Sequence, residues 1–171
     1  MAVYLDFEKV EPRQLEDARL AIEVFCVERV AAKITEEEVA EVRAFLAAEA
    51  AQVAAGQVPS LHEFHVLVAR LTGNPALHLF VQTLCDLTRR QHTIIERHRT
   101  SAGDVHRAHA RIAEAIIARD GALARHRMMT HLEEVSATGH RRPVPRTEAA
   151  PRAEAVPRAE PARPAAEPAA G

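Results

Sequence analysis

The sequence predicts an all-α fold, an antiparallel bundle of about six helices followed by a disordered Ala/Pro-rich C-terminal tail. Three observations predict it. Apolar residues make up 47% of the 171 residues, enough for one sizeable core, and most are Ala, Leu, Val and Ile. With abundant Glu and Arg, that composition favours helix over sheet. Apolar positions recur at three- and four-residue spacing in segment after segment, and prolines, glycines and capping residues punctuate the segments at helical length. No alternating strand pattern and no Gly-rich phosphate loop interrupts them.

The first helix is expected from about Pro12, a residue suited to a first turn, to Ala32. Its inner positions are Leu15, Ala18, Ile22, Phe25 or Cys26, and Arg29 or Val30. The second starts at Thr35, where Thr35 and Glu38 spell a capping box, and runs through Val39, Val42, Leu46 and Val53 to near Gly56. Ser60 and Glu63 spell a second box for a third helix with Leu61, Phe64 or His65, Val68 and Leu71 inward. Gly73 ends it, and Asn74 caps a fourth helix that begins at Pro75. That helix reaches about His98 through Leu77, Val81, Leu84, Leu87 or Thr88, and Ile94 or Ile95. After a loop at Thr100–Gly103, Asp104 caps a fifth helix with Ile112, Ala115 and Ile116 inward. Asp120-Gly121 breaks the chain into a sixth, which carries Leu123, Met128, His131, Leu132 and Val135 and stops at Gly139. The expected organisation is a linker-like segment 1–11, a bundle over 12–138 and a tail over 139–171. The tail repeats PRAEAV and PRAEPA and has too few large apolar side chains to offset chain entropy.

Charge and cysteine usage exclude several classes. A net charge of −2 leaves no electrostatic footprint for nucleic acid and no polybasic membrane anchor. The N-terminal MAVYLDFEKVEP has acids where a signal peptide needs an apolar stretch, and no run reaches membrane-spanning length. Cys26 and Cys85 fall in helical apolar patterns and read as small core residues rather than a disulfide. A cytoplasmic protein is expected.

The histidines carry the functional signal. Of ten, three lie on apolar faces: His65 beside Phe64 and Val68, His109 one turn before Ile112, and His131 between Met128 and Val135. A lone inward histidine is most often a satisfied core residue. Three on separate helices can converge, as bundle interiors do when they hold metals. Neutral imidazoles suit a divalent ion such as zinc or nickel, with a coordination position left for an anion. His62 and His106 each precede an inward histidine by three residues and are candidates to support the same site. His78, His92, His98, His126 and His140 read as solvated.

Four stretches, LEDARLAIE (Leu15 to Glu23), EFHVLVARLTGNPAL (Glu63 to Leu77), HARIAEAIIARDGALA (His109 to Ala124) and MMTHLEEV (Met128 to Val135), resemble in order the FCD domain. That domain is the effector-binding and dimerisation domain of GntR-superfamily bacterial transcription regulators, and the resemblance covers about residues 12 to 137. Many members hold a divalent metal with one Asp and three His. The resemblance places those histidines at His65, His109 and His131. The Asp position, four residues before the first histidine, is Leu61 here, which cannot ligate. The resemblance further implies a small organic acid as effector, with Arg19 as the anion-binding candidate and Asn74, already explained as an N-cap, as a second contact.

Family members carry an N-terminal winged helix-turn-helix, whereas only residues 1–11 precede the first helix here. Direct DNA binding by this chain alone is therefore not expected. The expected partners are a carboxylate metabolite and either a second copy or a full-length relative in a heterodimer, with no membrane. Two other readings stand beside this one: a structural dimerisation domain without metal, which Leu61 favours, and a metal-dependent hydrolase. No carboxylate or nucleophile is spaced to serve the latter, so an enzyme is not expected.

Overall fold

A computed structural model describes residues 10–91 and 101–140, and among them it contains six helices and no strand. They are α1 Pro12–Ala31, α2 Glu36–Ala54, α3 Glu63–Leu71, α4 Pro75–Gln91, α5 Ala102–Ile117 and α6 Gly121–His140. The helical bundle foreseen from the sequence is the observed fold. Residues 1–9, the stretch 92–100 with the foreseen end of the fourth helix at His98, and the tail from 141 onward lie outside the described residues. The solvated positions foreseen for His92 and His98 lie outside them too, and the one foreseen for His140 falls at the end of the last helix, where side-chain exposure is not described.

α1 is the central helix. It packs against α3, α4, α5 and α6, while α2 closes over α5 and α3. Its buried stripe, Leu15, Arg19, Glu23, Val27 and Val30, follows the helical period. The choice between Phe25 and Cys26 resolves in favour of Cys26, which is buried, while Phe25 faces solvent. The fully buried core joins Val27, Val30 and Ile34 to Val42, Phe64, Val68, Ile112, Ile116 and Met128. Both cysteines are buried and free. Burial pushes each thiol up to about 12, so neither offers a thiolate.

The helix starts are set largely by local chemistry. The Thr35–Glu38 capping box forms as read: Glu38 N donates to Thr35 Oγ1 at 3.2 Å and Thr35 N donates to Glu38 Oε2 at 2.9 Å. Thr35→Ala should lower stability by about 1 kcal/mol, read as a shifted urea midpoint. Asn74 Oδ1 accepts from Ala76 N at 3.0 Å at the start of α4, and Asp120 Oδ1 accepts from Leu123 N at 2.9 Å at the start of α6.

Three boundaries differ from the sequence expectation. The Ser60–Glu63 box does not form. Ser60 Oγ accepts instead from His62 N at 3.4 Å, Leu61 and His62 lie in a turn, and α3 begins at Glu63. Leu61 is thus half-buried ahead of the helix rather than on its inner face. At α5 the cap is Ser101, whose Oγ accepts from Asp104 N at 3.1 Å, and Asp104 belongs to the first turn. Gly139 does not stop α6, which continues to His140. A glycine costs a helix only about 1 kcal/mol, so it ends one only when the left-handed cap is used.

That cap is used elsewhere. Gly56 and Gly73 take φ of 72° and 66° just past α2 and α3. Past α5 the left-handed residue is Arg119, with φ of 57°, and Asp120 N closes the turn by donating to Ala115 O at 3.0 Å. The Arg119 guanidinium donates to Ile34 O at 2.6 Å, tying this corner to the α1–α2 corner.

Candidate metal centre

α3, α5 and α6 each turn one histidine into the interior. His65, His109 and His131 are all buried, because each occupies the apolar stripe of its helix. Their rings form a triangle. His65 and His131 stack at 5.2 Å between centroids, and His109 meets them edge-on at 5.4 and 5.1 Å. One ring nitrogen from each lies within 4.8 Å of the other two. The Nε2 atoms of His65 and His131 are 3.3 Å apart, about the spacing of two ligands on a tetrahedral ion with arms of about 2.0–2.1 Å. Phe64 stacks on His109 at 4.5 Å and walls the triangle on that side.

Two buried glutamates hold the outer edges of the rings. Glu23 accepts from His65 Nδ1 and from Arg19 Nε, the latter at 2.7 Å. Glu49 accepts from His109 Nδ1 at 2.8 Å and from His106 Nδ1 at 2.9 Å. A neutral imidazole that donates from Nδ1 carries its lone pair on Nε2, so the glutamates aim His65 and His109 at the shared centre. His109 Nε2 is buried and has no hydrogen-bond partner.

The electrostatics follow from burial. Desolvation lowers His131 to about 2, helped by His65 and His109, and lowers His62 to about 2, helped by Arg19 and His65. Desolvation also lowers His65, against the pull of Glu23. Burial alone would push Glu23 up. Arg19 and His65 outweigh it and hold that carboxyl well below the usual carboxylate range. Burial likewise pushes Glu49 up, and its bonds to His109 and His106 more than offset this. These imidazoles are therefore neutral lone-pair donors, the form a metal requires.

The residues singled out from the sequence fall as follows. His65, His109 and His131 come together. His106 binds Glu49 behind His109. His62 is buried ahead of α3 with its Nδ1 unpartnered, and it is not part of the three-nitrogen cluster. Arg19 is buried against Glu23, while Asn74 caps α4. Of the histidines read as solvated, His126 is exposed and His78 half-buried. The sequence reading missed the roles of Glu23 and Glu49. The signal was present: Glu23 is one turn after Arg19 on the stripe that continues to Val27, and Glu49 falls between Leu46 and Val53 on the stripe of α2.

Compared with known families, the chain matches the FCD domain over residues 14–134, well over half its length. The chain belongs to the FCD domain family. A comparison with curated proteins finds no match. The matched stretch of this FCD domain reaches into all six helices, and all three triangle histidines and both supporting glutamates lie inside it. FCD domains are the regulatory, effector-binding part of GntR-type regulators, and the architecture here is of that kind: a helical bundle with a polar cluster in its interior. No described helix is long and apolar enough to cross a membrane.

Proposed function

We propose that this FCD domain is the ligand-sensing and dimerisation domain of a GntR-type transcription regulator, with a divalent metal held by His65, His109 and His131. The observation that carries the reading is the buried, unpartnered Nε2 of His109, aimed at the point where the other two imidazoles meet. A buried polar atom without a partner is costly, and three convergent imidazole nitrogens fit a borderline ion such as zinc or nickel. The bound ion would supply a Lewis-acidic position for a small organic acid. Arg19, anchored by Glu23, is the nearby cation that would orient the acid's charge. The site lacks a carboxylate ligand at Leu61, so its donor set is nitrogen only. The role is binding rather than turnover, within a cytoplasmic protein.

Dimerisation, with a second copy or a full-length relative, is supported by the exposed Phe25 on α1 and by Leu79 and Phe80 on α4, large apolar side chains that solvent reaches. Sedimentation of the purified chain tests it, a monomer at micromolar concentration being the contrary result.

The metal is tested by elemental analysis and zinc titration of the wild type beside His109→Ala and His65→Ala. The expected result is one ion per chain, with affinity falling by at least a hundredfold in either variant. A thermal shift with hydroxy acids and dicarboxylates should then appear only in the metal-loaded wild type. Equal zinc uptake by wild type and His109→Ala would remove the reading in favour of a metal-free dimerisation domain. For that second reading the observation in favour is that Glu23 and Glu49 already give two of the three histidines protein partners.

A further inference from the structure

The two glutamates behind the histidine triangle look alike and are not. Glu23 faces a permanent cation, Arg19, at 2.7 Å, so its charge is neutralised within the protein. Glu49 is 3% exposed. Among the described residues its only partners are the imidazoles of His109 and His106, and no lysine or arginine pairs with it. One oxygen takes His109 Nδ1 and the other takes His106 Nδ1, so both oxygens are bonded on the outer, Nδ1 side of the rings and not at the shared centre. A buried charge is stable when paired or when it acts on a metal. Here the negative charge sits one imidazole away from the unpartnered nitrogen of His109, while the cluster itself contains three imidazoles and no acid.

The geometry points to Glu49 as the counter-charge of the three-histidine centre, acting through His109 as a positioning residue and not as a ligand. This rests on the metal reading above and goes beyond it. The anionic ligand absent from the inner cluster is replaced by an anion one bond network further out. A carboxylate behind a metal-bound imidazole fixes its ring and raises its donor strength, and its loss typically costs about 10–100-fold in metal affinity. Because Glu49 lies on α2 and His109 on α5, ion uptake also tightens the contact between those two helices.

Two substitutions separate charge from geometry. Glu49→Gln keeps an acceptor for His109 Nδ1–H and removes the charge. His106→Lys leaves Glu49 in place and gives it the permanent cation it lacks, at a side chain that is 24% exposed and so tolerates the change. Zinc affinity is measured by competition with a chromophoric chelator, and the His109 tautomer by nitrogen-15 NMR of the imidazole. The expected result is a dissociation constant raised about 10–100-fold in Glu49→Gln and at least about tenfold in His106→Lys, with the Nδ1–H tautomer of metal-free His109 unchanged. If Glu49→Gln does not fold, His106→Lys decides alone. Zinc binding within twofold of wild type in the folded variants overturns the role of Glu49 and leaves the metal site standing. A wild type that takes up no zinc overturns both.

Discussion

Acidifying the metal-free protein should unfold it well before its carboxylates titrate. His131 and His62 are held down to about 2, chiefly by burial, against about 6.5 in an unfolded chain. The unfolded state therefore binds more protons than the native one at every pH between those values. The stability gained by keeping these rings neutral is whole above about pH 6.5 and is lost as pH falls, at about 1.4 kcal/mol per pH unit for each ring. Two rings over the two units below about pH 6.5 amount to roughly 5 kcal/mol, comparable with the whole stability of a small domain. His65, also lowered, adds in the same direction. Glu23, held below the carboxylate range, adds its own loss only once the pH passes below its ordinary value. Urea unfolding followed by circular dichroism in the presence of a chelator, from pH 7.5 to pH 4.5, should show the midpoint falling steeply from about pH 6.5. A midpoint flat down to pH 5 would show that the unfolded chain gains no protons there.

The second large effect is at Arg19. Arg19→Ala removes the one full cation that pairs, among the described residues, with a carboxylate that is 1% exposed. Breaking a buried pair from one side costs about 3–5 kcal/mol, because the remaining charge is left without compensation. The double variant Arg19→Met/Glu23→Gln should recover much of that loss, since glutamine still accepts from His65 Nδ1 and no buried charge remains. Chemical denaturation of the wild type, the single and the double variants checks both statements. A single variant within about 0.5 kcal/mol of wild type would mean that Glu23 finds another partner. Among the described residues only one guanidinium nitrogen of Arg19, Nε, bonds Glu23, so the same comparison also tests the proposed contact of Arg19 with an organic acid. Loss of an organic-acid response in a variant that is again stable would support that proposed contact apart from the structural role.

Much of this was legible in the sequence, for identifiable reasons. Helical periodicity placed His65, His109 and His131 inward, because a side chain's direction on a helix depends only on its position in the turn. Thr35–Glu38 and Asn74 were readable since a cap is a local bargain between neighbouring groups. The Ser60–Glu63 box was not. The same letters that spell a box also allow the Ser60 hydroxyl to bond His62 N, and the packing of the 57–62 connection decides between them. Glu23 and Glu49 escaped notice because a glutamate on an apolar stripe is ordinarily at the stripe's edge, and only the meeting of α1 with α3 and of α2 with α5 reveals imidazoles waiting opposite. Whether three inward histidines meet is likewise a tertiary fact that spacing alone does not contain.

The bond from Arg119 to Ile34 O has a mechanical meaning. It clasps the α1–α2 corner to the α5–α6 corner, so α2 and α5 share a pinned end. His109 stands ten residues from Arg119 and Glu49 fifteen from Ile34, roughly 15 Å and 22 Å along their helices. The two helices are therefore tied at two levels, by the clasp at their shared end and by the bond between Glu49 and His109 farther along.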